Sequence, residues 1–142
     1  MIRKSRQGDT LAIMELWLNA NVEAHSFLPA EYWAGHYDAV KEMLPQAELY
    51  VYEDAASNEI LGFIGLMDGD IAGIFVRDGA RSQGIGKQLL DAAKGVRQSL
   101  ALHVYQKNAR ALRFYQREGF AAASEGVDEG TGEKEWIMTW HR

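Results

Sequence analysis

The sequence predicts an α/β fold built on a mixed β-sheet, and two observations lead to that prediction. Short runs of β-branched and aromatic residues, typical of strands, alternate with segments whose apolar residues recur every three to four positions, as in helices. The stretch 70–86 passes from such a run through a glycine-rich turn into a helical pattern. Along the whole chain the order is β-α-α-β-β-β-α-β-α-β-β, which is that of an α/β protein.

The elements are defined by signals at their ends as well as by periodicity. Asp9 and Asn108 are N-cap candidates, Pro45 and Gly119 are helix terminators, and Asp68-Gly69-Asp70 is typical of a tight hairpin. Strands are predicted at 2–4, 48–53, 60–67, 70–76, 100–105, 120–124 and 136–140. The first helix is predicted to begin at Thr10 and to be followed by a loop or broken helix at 21–29. Further helices are predicted from Ala30 to Pro45, from Ile85 to about Gln98 and from Asn108 to Glu118. Residues 126–133 are predicted as a polar loop.

Length and composition favour one globular domain spanning residues 1–142. The net charge of −5 argues against general binding to DNA or RNA, for which a basic face is usual. The absence of cysteine excludes disulfides, thiolate zinc sites and a cysteine nucleophile, and no bound metal is expected. The longest apolar run, 60–67, is too short to span a membrane, and the N-terminus has no apolar signal segment. A cytoplasmic protein without a membrane partner is therefore expected.

The turn before the third helix is predicted to bind a phosphate group. The first N–H groups of a helix lack internal partners, and the helix dipole favours negative charge there. Gly84 and Gly86 allow close approach to the backbone, and Arg81 and Lys87 add positive charge. The spacing does not fit a Walker A motif, and Leu89 stands where a dinucleotide fingerprint needs its third glycine.

Two segments resemble the GNAT superfamily of N-acetyltransferases. The first is R-x-x-G-x-G at 81–86, and the second is N-x-x-A-x-x-F-Y-x-x-x-G-F at 108–120. Further stretches resemble the small bacterial members of the YiaC and YjaB type: E-L-W-L at 15–18, H-S-F-L-P-A-E-Y-W at 25–33, V-Y-Q-K-N at 104–108 and W-I-M-T-W at 136–140. This resemblance implies the GNAT fold, a mixed but mostly antiparallel sheet flanked by about four helices.

The resemblance also implies acetyl-CoA as co-substrate and assigns residues to its binding. Gly73 is expected to mark a bulge that opens a slot between two strands. Tyr115 is expected to act as the general acid that protonates the departing thiolate. The other residues implied in acetyl-CoA binding are Ile74 and Val76 through their main chain, Arg81, Gly84, Gly86, Lys87 and Asn108.

The acceptor of the acetyl group is less well defined by the sequence. The resemblance favours a primary amine on a protein lysine. A protein N-terminus, a small-molecule amine or an acyl-CoA sensor without turnover remain as alternatives. An alkylamine must lose a proton before it attacks, and the candidate bases are Glu23, His25 and His103, or carboxylates acting through water, with no choice among them. Four aromatic residues lie close together in the first third of the chain: Phe27, Tyr32, Trp33 and Tyr37. We expect them to pack a helix against the sheet, and the alternative is that one or two of them line the acceptor pocket. A monomer or a homodimer is expected.

Overall fold

The computed structural model describes residues 1–81 and 83–142; Ser82, which belongs to the R-x-x-G-x-G segment, lies outside the described residues. The strands are β1 (Ile2–Lys4), β2 (Glu48–Glu53), β3 (Ile60–Met67), β4 (Asp70–Val76), β5 (Ser99–Tyr105), β6 (Ala121–Val127) and β7 (Lys134–His141). The α-helices are α1 (Thr10–Ala24), α2 (Ala30–Met43), α3 (Ile85–Val96) and α4 (Ala109–Arg117).

The strands form one mixed sheet in the order β1-β2-β3-β4-β5-β7-β6. Neighbouring strands are antiparallel except for β4 and β5, which are parallel. The predicted fold class, a mostly antiparallel mixed sheet with flanking helices, is confirmed.

Helices cover both faces of the sheet, and each face has its own apolar core. On what we call the α3/α4 face, Leu89 and Leu90 of α3 and Tyr115 of α4 pack against alternate residues of β3 and β5. On the opposite α1/α2 face, Ile13 and Leu16 of α1 pack against the sheet, and α2 packs on α1. Because side chains alternate along a strand, β2, β3 and β4 contribute to both cores.

The sheet separates at its parallel pair. The β4–β5 ladder contains a single residue pair, Asp70 with Ala101, and the two strands diverge beyond it. A register shift between β3 and β4 leaves Ala72 without a partner, directly before the Gly73 position where the sequence predicted a bulge. A bulge bends its strand and increases the local twist. The separation therefore opens a gap through the middle of the sheet.

Some predicted boundaries and one predicted cap are wrong. Helix α1 continues through Ala24 where a loop was predicted from residue 21, because the buried Asn21 side chain donates to the Trp17 carbonyl and remains within the helix. Strand β6 continues to Val127, where a polar loop was predicted, since pairing with β7 stabilises its polar end. Asp9 makes no side-chain cap for α1; its carboxylate accepts hydrogen bonds from Arg3 instead.

Candidate active site

A cleft of about 1480 Å³ occupies the gap between β4 and β5 and is lined by residues of both faces of the sheet. Every residue that the sequence assigned to acetyl-CoA binding or to catalysis lines it: Ile74, Val76, Arg81, Gly84, Gly86, Lys87, Asn108 and Tyr115. The structure thus brings together segments that are up to 41 positions apart in the chain (115 − 74). Their roles remain predictions.

The turn before α3 has the backbone shape that its glycines allow. Gly84 has φ of +77°, in the left-handed region, and directly precedes the first residue of α3. A Cβ atom at Gly84 would meet no neighbour within 4 Å, so this glycine is required by conformation and leaves open space beside it. A Cβ atom at Gly86 would lie 3.3 Å from the Phe114 ring, so Gly86 also lets α3 approach α4 closely.

The basic residues beside this turn are partly neutralised by carboxylates. Arg81 forms an ion pair with Glu23 of α1, with 2.7 Å between Nη1 and Oε1. Lys87 lies 2.9 Å from Asp91 and 3.6 Å from Glu118, and these carboxylates, Asp91 foremost, raise the pKa of its ammonium group. An anion that binds at the turn therefore competes with acidic side chains of the protein.

The sequence analysis missed a row of arginines on α4. Arg110, Arg113 and Arg117 line the same cleft, and in the part of the chain that the structure describes none of them forms an ion pair. Their spacing of three and four residues puts them on one side of the helix, a signal that was readable from the sequence.

The edge of β4 that borders the gap carries free main-chain groups. The Arg77 N–H donates to the Leu61 carbonyl on β3, at 2.7 Å. Because successive main-chain groups point to opposite sides of a strand, the N–H and C=O groups of Val76 and Ile74 point into the gap. The side chains of both residues pack against the core of the α3/α4 face, as the sequence analysis expected.

Tyr115 borders the cleft from the α3/α4 face. The residue is 9% exposed, and its ring packs between Phe114 and Phe120, with centroids 5.3 Å and 5.8 Å away. Among the described residues its hydroxyl has no hydrogen-bond partner. Burial raises the pKa of this hydroxyl well above its usual value, so the group carries its proton at neutral pH. It can donate that proton only to a group that enters the cleft.

Asn108 joins α4 to the α1/α2 face. Its Oδ1 accepts from the Ala111 N–H at 3.2 Å, which confirms the predicted N-cap, and its Nδ2 donates to His25 Nε2 at 3.3 Å. The His25 ring stacks on Trp33 with centroids 5.2 Å apart. Burial lowers the pKa of His25, and an interaction with the Asn21 backbone opposes the shift only in part. His25 is therefore a neutral, occupied acceptor and a poor proton acceptor for a substrate.

Two side-chain pairs that the sequence analysis did not anticipate lie on the α1/α2 face of the cleft. His103 Nδ1 is 2.8 Å from Glu135 Oε1, and the Tyr105 hydroxyl donates to Asp128 Oδ2 at 2.5 Å. Burial raises the pKa of Tyr105, and the bond to Asp128 adds to the shift. Each pair joins β5 to a segment more than 20 residues later in the chain, so no local pattern could have indicated it.

Within residues 1–81 and 83–142, no group of three or more acidic or imidazole side chains is arranged to hold a metal ion. Over the same residues, no helix combines the length and the apolar character needed to cross a membrane.

Comparisons with known proteins assign this cleft to a family. A model of the acetyltransferase (GNAT) domain matches residues 45–122. The chain is 36% identical to the peptidyl-lysine N-acetyltransferase YiaC of Escherichia coli (strain K12), over 99% of this chain and 96% of YiaC. The solution structure of apo-form YjaB from Escherichia coli is 27% identical, with a TM-score of 0.86 over 99% of this chain and 96% of YjaB.

A more distant relative has the same fold. The PaiA N-acetyltransferase of Thermoplasma acidophilum, solved in complex with coenzyme A, has a TM-score of 0.83 at 18% identity, over 100% of this chain and 98% of that protein. The family resemblance predicted from two sequence segments is thus confirmed: the chain belongs to the GNAT superfamily and is an N-acetyltransferase.

Proposed function

We propose that the protein transfers the acetyl group of acetyl-CoA directly to a lysine side chain of another protein. The observation that carries the proposal is the gap between β4 and β5, which joins an anion-binding turn on one face of the sheet to an acidic, aromatic pocket on the other. The relative YiaC is named a peptidyl-lysine N-acetyltransferase, which supports the choice of acceptor.

The residues on the α3/α4 face fit coenzyme A. The N–H groups at the start of α3, opened by the φ of +77° at Gly84, suit its pyrophosphate, and Arg81 and Lys87 add charge. The main-chain groups of Ile74 and Val76 that point into the gap suit the amides of the pantetheine arm, which would pair with β4 as a strand does. Acetyl-CoA, when bound, supplies the acetyl thioester.

Tyr115 is suited to protonate the sulfur that leaves. Its raised pKa keeps the proton on the hydroxyl, and no described residue competes for that hydrogen bond. Phenols are weak acids, but a thiolate that forms beside one in a dry slot is a strong acceptor of its hydrogen bond. The phenol therefore donates at the moment when negative charge develops on sulfur.

The α1/α2 face suits a cationic acceptor. Asp128, Glu129 and Glu135 line this part of the cleft, and the rings of Trp33 and Tyr105 lie beside them. A lysine ammonium group is attracted both by carboxylates and by aromatic faces. Glu129 and the side chain of His103 are exposed on this face, so a lysine on a protein surface can reach it.

Thiol release from acetyl-CoA, followed across a panel of acceptors, tests the proposal. The panel contains lysine peptides, peptides with a free N-terminus but no lysine, and a polyamine. We expect turnover with lysine peptides, with a mass increase on the lysine in fragment spectra. Turnover with the polyamine alone would make the protein a small-molecule acetyltransferase, and turnover with the N-terminal amine alone would make it an N-terminal acetyltransferase; either result contradicts the proposal.

A further inference from the structure

A histidine–carboxylate pair lies on the α1/α2 face of the cleft, where the acceptor amine is proposed to bind. In the β5–β7 ladder His103 is opposite Ile137 and Glu135 is opposite Tyr105, so the two side chains are diagonal neighbours on one face of the sheet. Their Nδ1 and Oε1 atoms are 2.8 Å apart. The His103 side chain is 59% exposed, whereas that of Glu135 is only 14% exposed. The pair thus joins an accessible imidazole to a nearly buried carboxylate.

The hydrogen bond determines which ring nitrogen of His103 is free. An ionised carboxylate can only accept hydrogen bonds, so Nδ1 of His103 must carry the hydrogen that lies between the two groups. In the neutral imidazole, Nε2 then has an unshared electron pair. No described residue forms a hydrogen bond with Nε2. An exposed, oriented lone pair therefore borders the cleft.

We propose that His103 is the general base that removes protons from the acceptor amine, and that Glu135 is a positioning residue that holds its ring; this inference rests on the proposed acetyl transfer. Lysine side chains are protonated near neutral pH, so the nitrogen must lose one proton before it attacks and a second when the amide has formed. The C–N bond forms and the C–S bond breaks. Both protons of the nitrogen leave through His103 to water, and Tyr115 gives its proton to sulfur and takes one back from water, so the net result is one proton on sulfur and one in solvent. The exposure of His103 allows it to release its proton to water.

The two proposed proton carriers approach the gap from opposite faces. Leu102 and Val104 of β5 pack in the core of the α3/α4 face, so His103 between them points to the α1/α2 face. Tyr115 belongs to the core of the α3/α4 face. Acid and base are therefore separated by the sheet and meet only at the gap, where nitrogen arrives on one side and sulfur departs on the other.

The other candidate bases already have partners. His25 is half-buried, and its Nε2 accepts from Asn108. Glu23 is in an ion pair with Arg81 beside the turn that precedes α3. The cleft carboxylate Asp128, which the sequence analysis did not name, likewise accepts hydrogen bonds from Tyr105 and Thr131.

The charged groups near His103 are carboxylates. They are Glu135 on β7 and Asp128 and Glu129 in the segment after β6; Tyr105 on its own strand is neutral, and the facing part of β4 (71–76) carries no titratable side chain. A cationic amine is therefore attracted toward the ring of His103.

The pH profile of kcat with a lysine peptide tests the proposal, because ionisation of the peptide is the same for every variant. We expect kcat of His103→Gln to fall by about 10²–10⁴-fold. The decrease of kcat at low pH that is caused by protonation of the enzyme should also be lost, so that only the decrease caused by ionisation of the peptide remains. Glu135→Gln keeps a hydrogen-bond acceptor for Nδ1 and with it the orientation of the ring, so it should keep most of the parent kcat. Glu135→Leu loses the orientation of the ring and should be slower than Glu135→Gln. His141→Gln, an exposed histidine at the far end of the same strand pair, is the matched control and should keep the parent profile.

An unchanged decrease of kcat at low pH in His103→Gln would overturn the assignment. A second measurement is independent of turnover: nitrogen NMR of the parent protein should show His103 with hydrogen on Nδ1 and none on Nε2 when the ring is neutral. The opposite tautomer would also overturn it. If the parent shows the expected tautomer but acetylates no amine of any class, the proposed function fails while the geometry of the pair stands, so the two failures are distinguishable.

Discussion

The two faces of the cleft are built in different ways. On the α3/α4 face, the proposed binding groups are main-chain N–H and C=O groups, placed by a turn, by the start of a helix and by a strand edge. On the α1/α2 face, they are side chains such as His103, Glu135 and Asp128, held by pairs that join distant segments. Recognition by main-chain groups does not depend on side-chain identity, so it suits a co-substrate that a whole superfamily shares. Recognition by side chains can be changed by a few substitutions, so the acceptor can differ between members.

Replacement of Tyr115 by Phe should have the largest effect, because it removes the one side chain of the α3/α4 face to which we assign chemistry. The ring and its packing are kept, and only the hydroxyl is lost. We expect kcat to fall by about 10²–10⁴-fold, as for loss of a general acid. Acetyl-CoA affinity and Tm should stay near those of the parent, which calorimetry checks. A kcat close to the parent value would mean that solvent protonates the thiolate and that this face acts through its backbone alone.

Substitution of Gly84 by Val tests whether the backbone of the turn binds the co-substrate. A β-branched residue is strained at φ of +77°, and its side chain would occupy the open space in which the phosphate is proposed to bind, so acetyl-CoA affinity should fall by at least about tenfold. Gly95→Ala is the matched control, since Gly95 lies in the same helix with open space around it and Ala there should raise stability by about 0.5–1 kcal/mol. Equal affinity of Gly84→Val and the parent by calorimetry would contradict backbone recognition.

Neutralisation of Glu23 tests the competition between carboxylates and phosphate at Arg81. Glu23→Gln frees the guanidinium group, and exposed ion pairs are typically worth about 0.2–1 kcal/mol, so acetyl-CoA affinity should rise about two- to fivefold. The gain should shrink at high salt, because such pairs are screened. Glu31→Gln on α2, in no described ion pair, provides the control. A weaker affinity in Glu23→Gln would mean that the ion pair organises the turn instead of competing for it.

The smallest effect is expected on the α1/α2 face, from Asp128→Asn. Burial acts to raise the pKa of Asp128, but hydrogen bonds from Tyr105, Thr131 and the Gly130 N–H outweigh it, and the net pKa is lowered. A lowered pKa in the folded state means that the carboxylate stabilises the protein above the ordinary carboxyl pKa and that this contribution is lost as the pH falls through the folded value. The variant should lose about 1 kcal/mol at pH 7.

The difference between Asp128→Asn and the parent should therefore shrink as the pH falls below about 4. Urea midpoints of the two proteins across this range check the sign. Glu129→Gln, next to it in the chain but without a described side-chain hydrogen bond, should match the parent at every pH. A deficit that persists unchanged at low pH would show that the charge of Asp128 is not involved.

The same contrast explains what could be predicted from the sequence. The fold class and the order of the elements along the chain follow from local spacing, since strand periodicity, glycine conformation and helix caps are properties of short segments. The assignment of Ile74, Val76, Asn108 and Tyr115 to the site came from the family resemblance, which rests on two short motifs. The N-cap by Asn108 was predicted from local signals and is confirmed. The pairing of His103 with Glu135 depends on the register between β5 and β7, which no local pattern fixes. For the same reason the sequence could not choose among Glu23, His25 and His103.

Long-range contacts also account for the wrong boundaries. A loop or broken helix was predicted at 21–29, but α1 continues to Ala24 because the Asn21 side chain donates to the Trp17 carbonyl. Strand β6 was predicted to end at residue 124, before a polar segment, and pairing with β7 extends it to Val127. In both places a tertiary contact outweighs propensity.

The open edge of β4 has a consequence for the stability of the whole chain. The main-chain N–H and C=O groups of Ile74 and Val76 point into the gap inside the sheet, where β5 no longer pairs with β4. A pantetheine arm paired there, as proposed, would bridge the two halves of the sheet. Because the ligand binds only the folded protein, its binding adds to the free energy of unfolding. The increase is about 2.7 kcal/mol when the ligand is at one hundred times its Kd. The melting temperature of the protein would rise with the concentration of coenzyme A. Slower hydrogen exchange at the amides of Ile74 and Val76 would show that the ligand pairs with β4 at these residues.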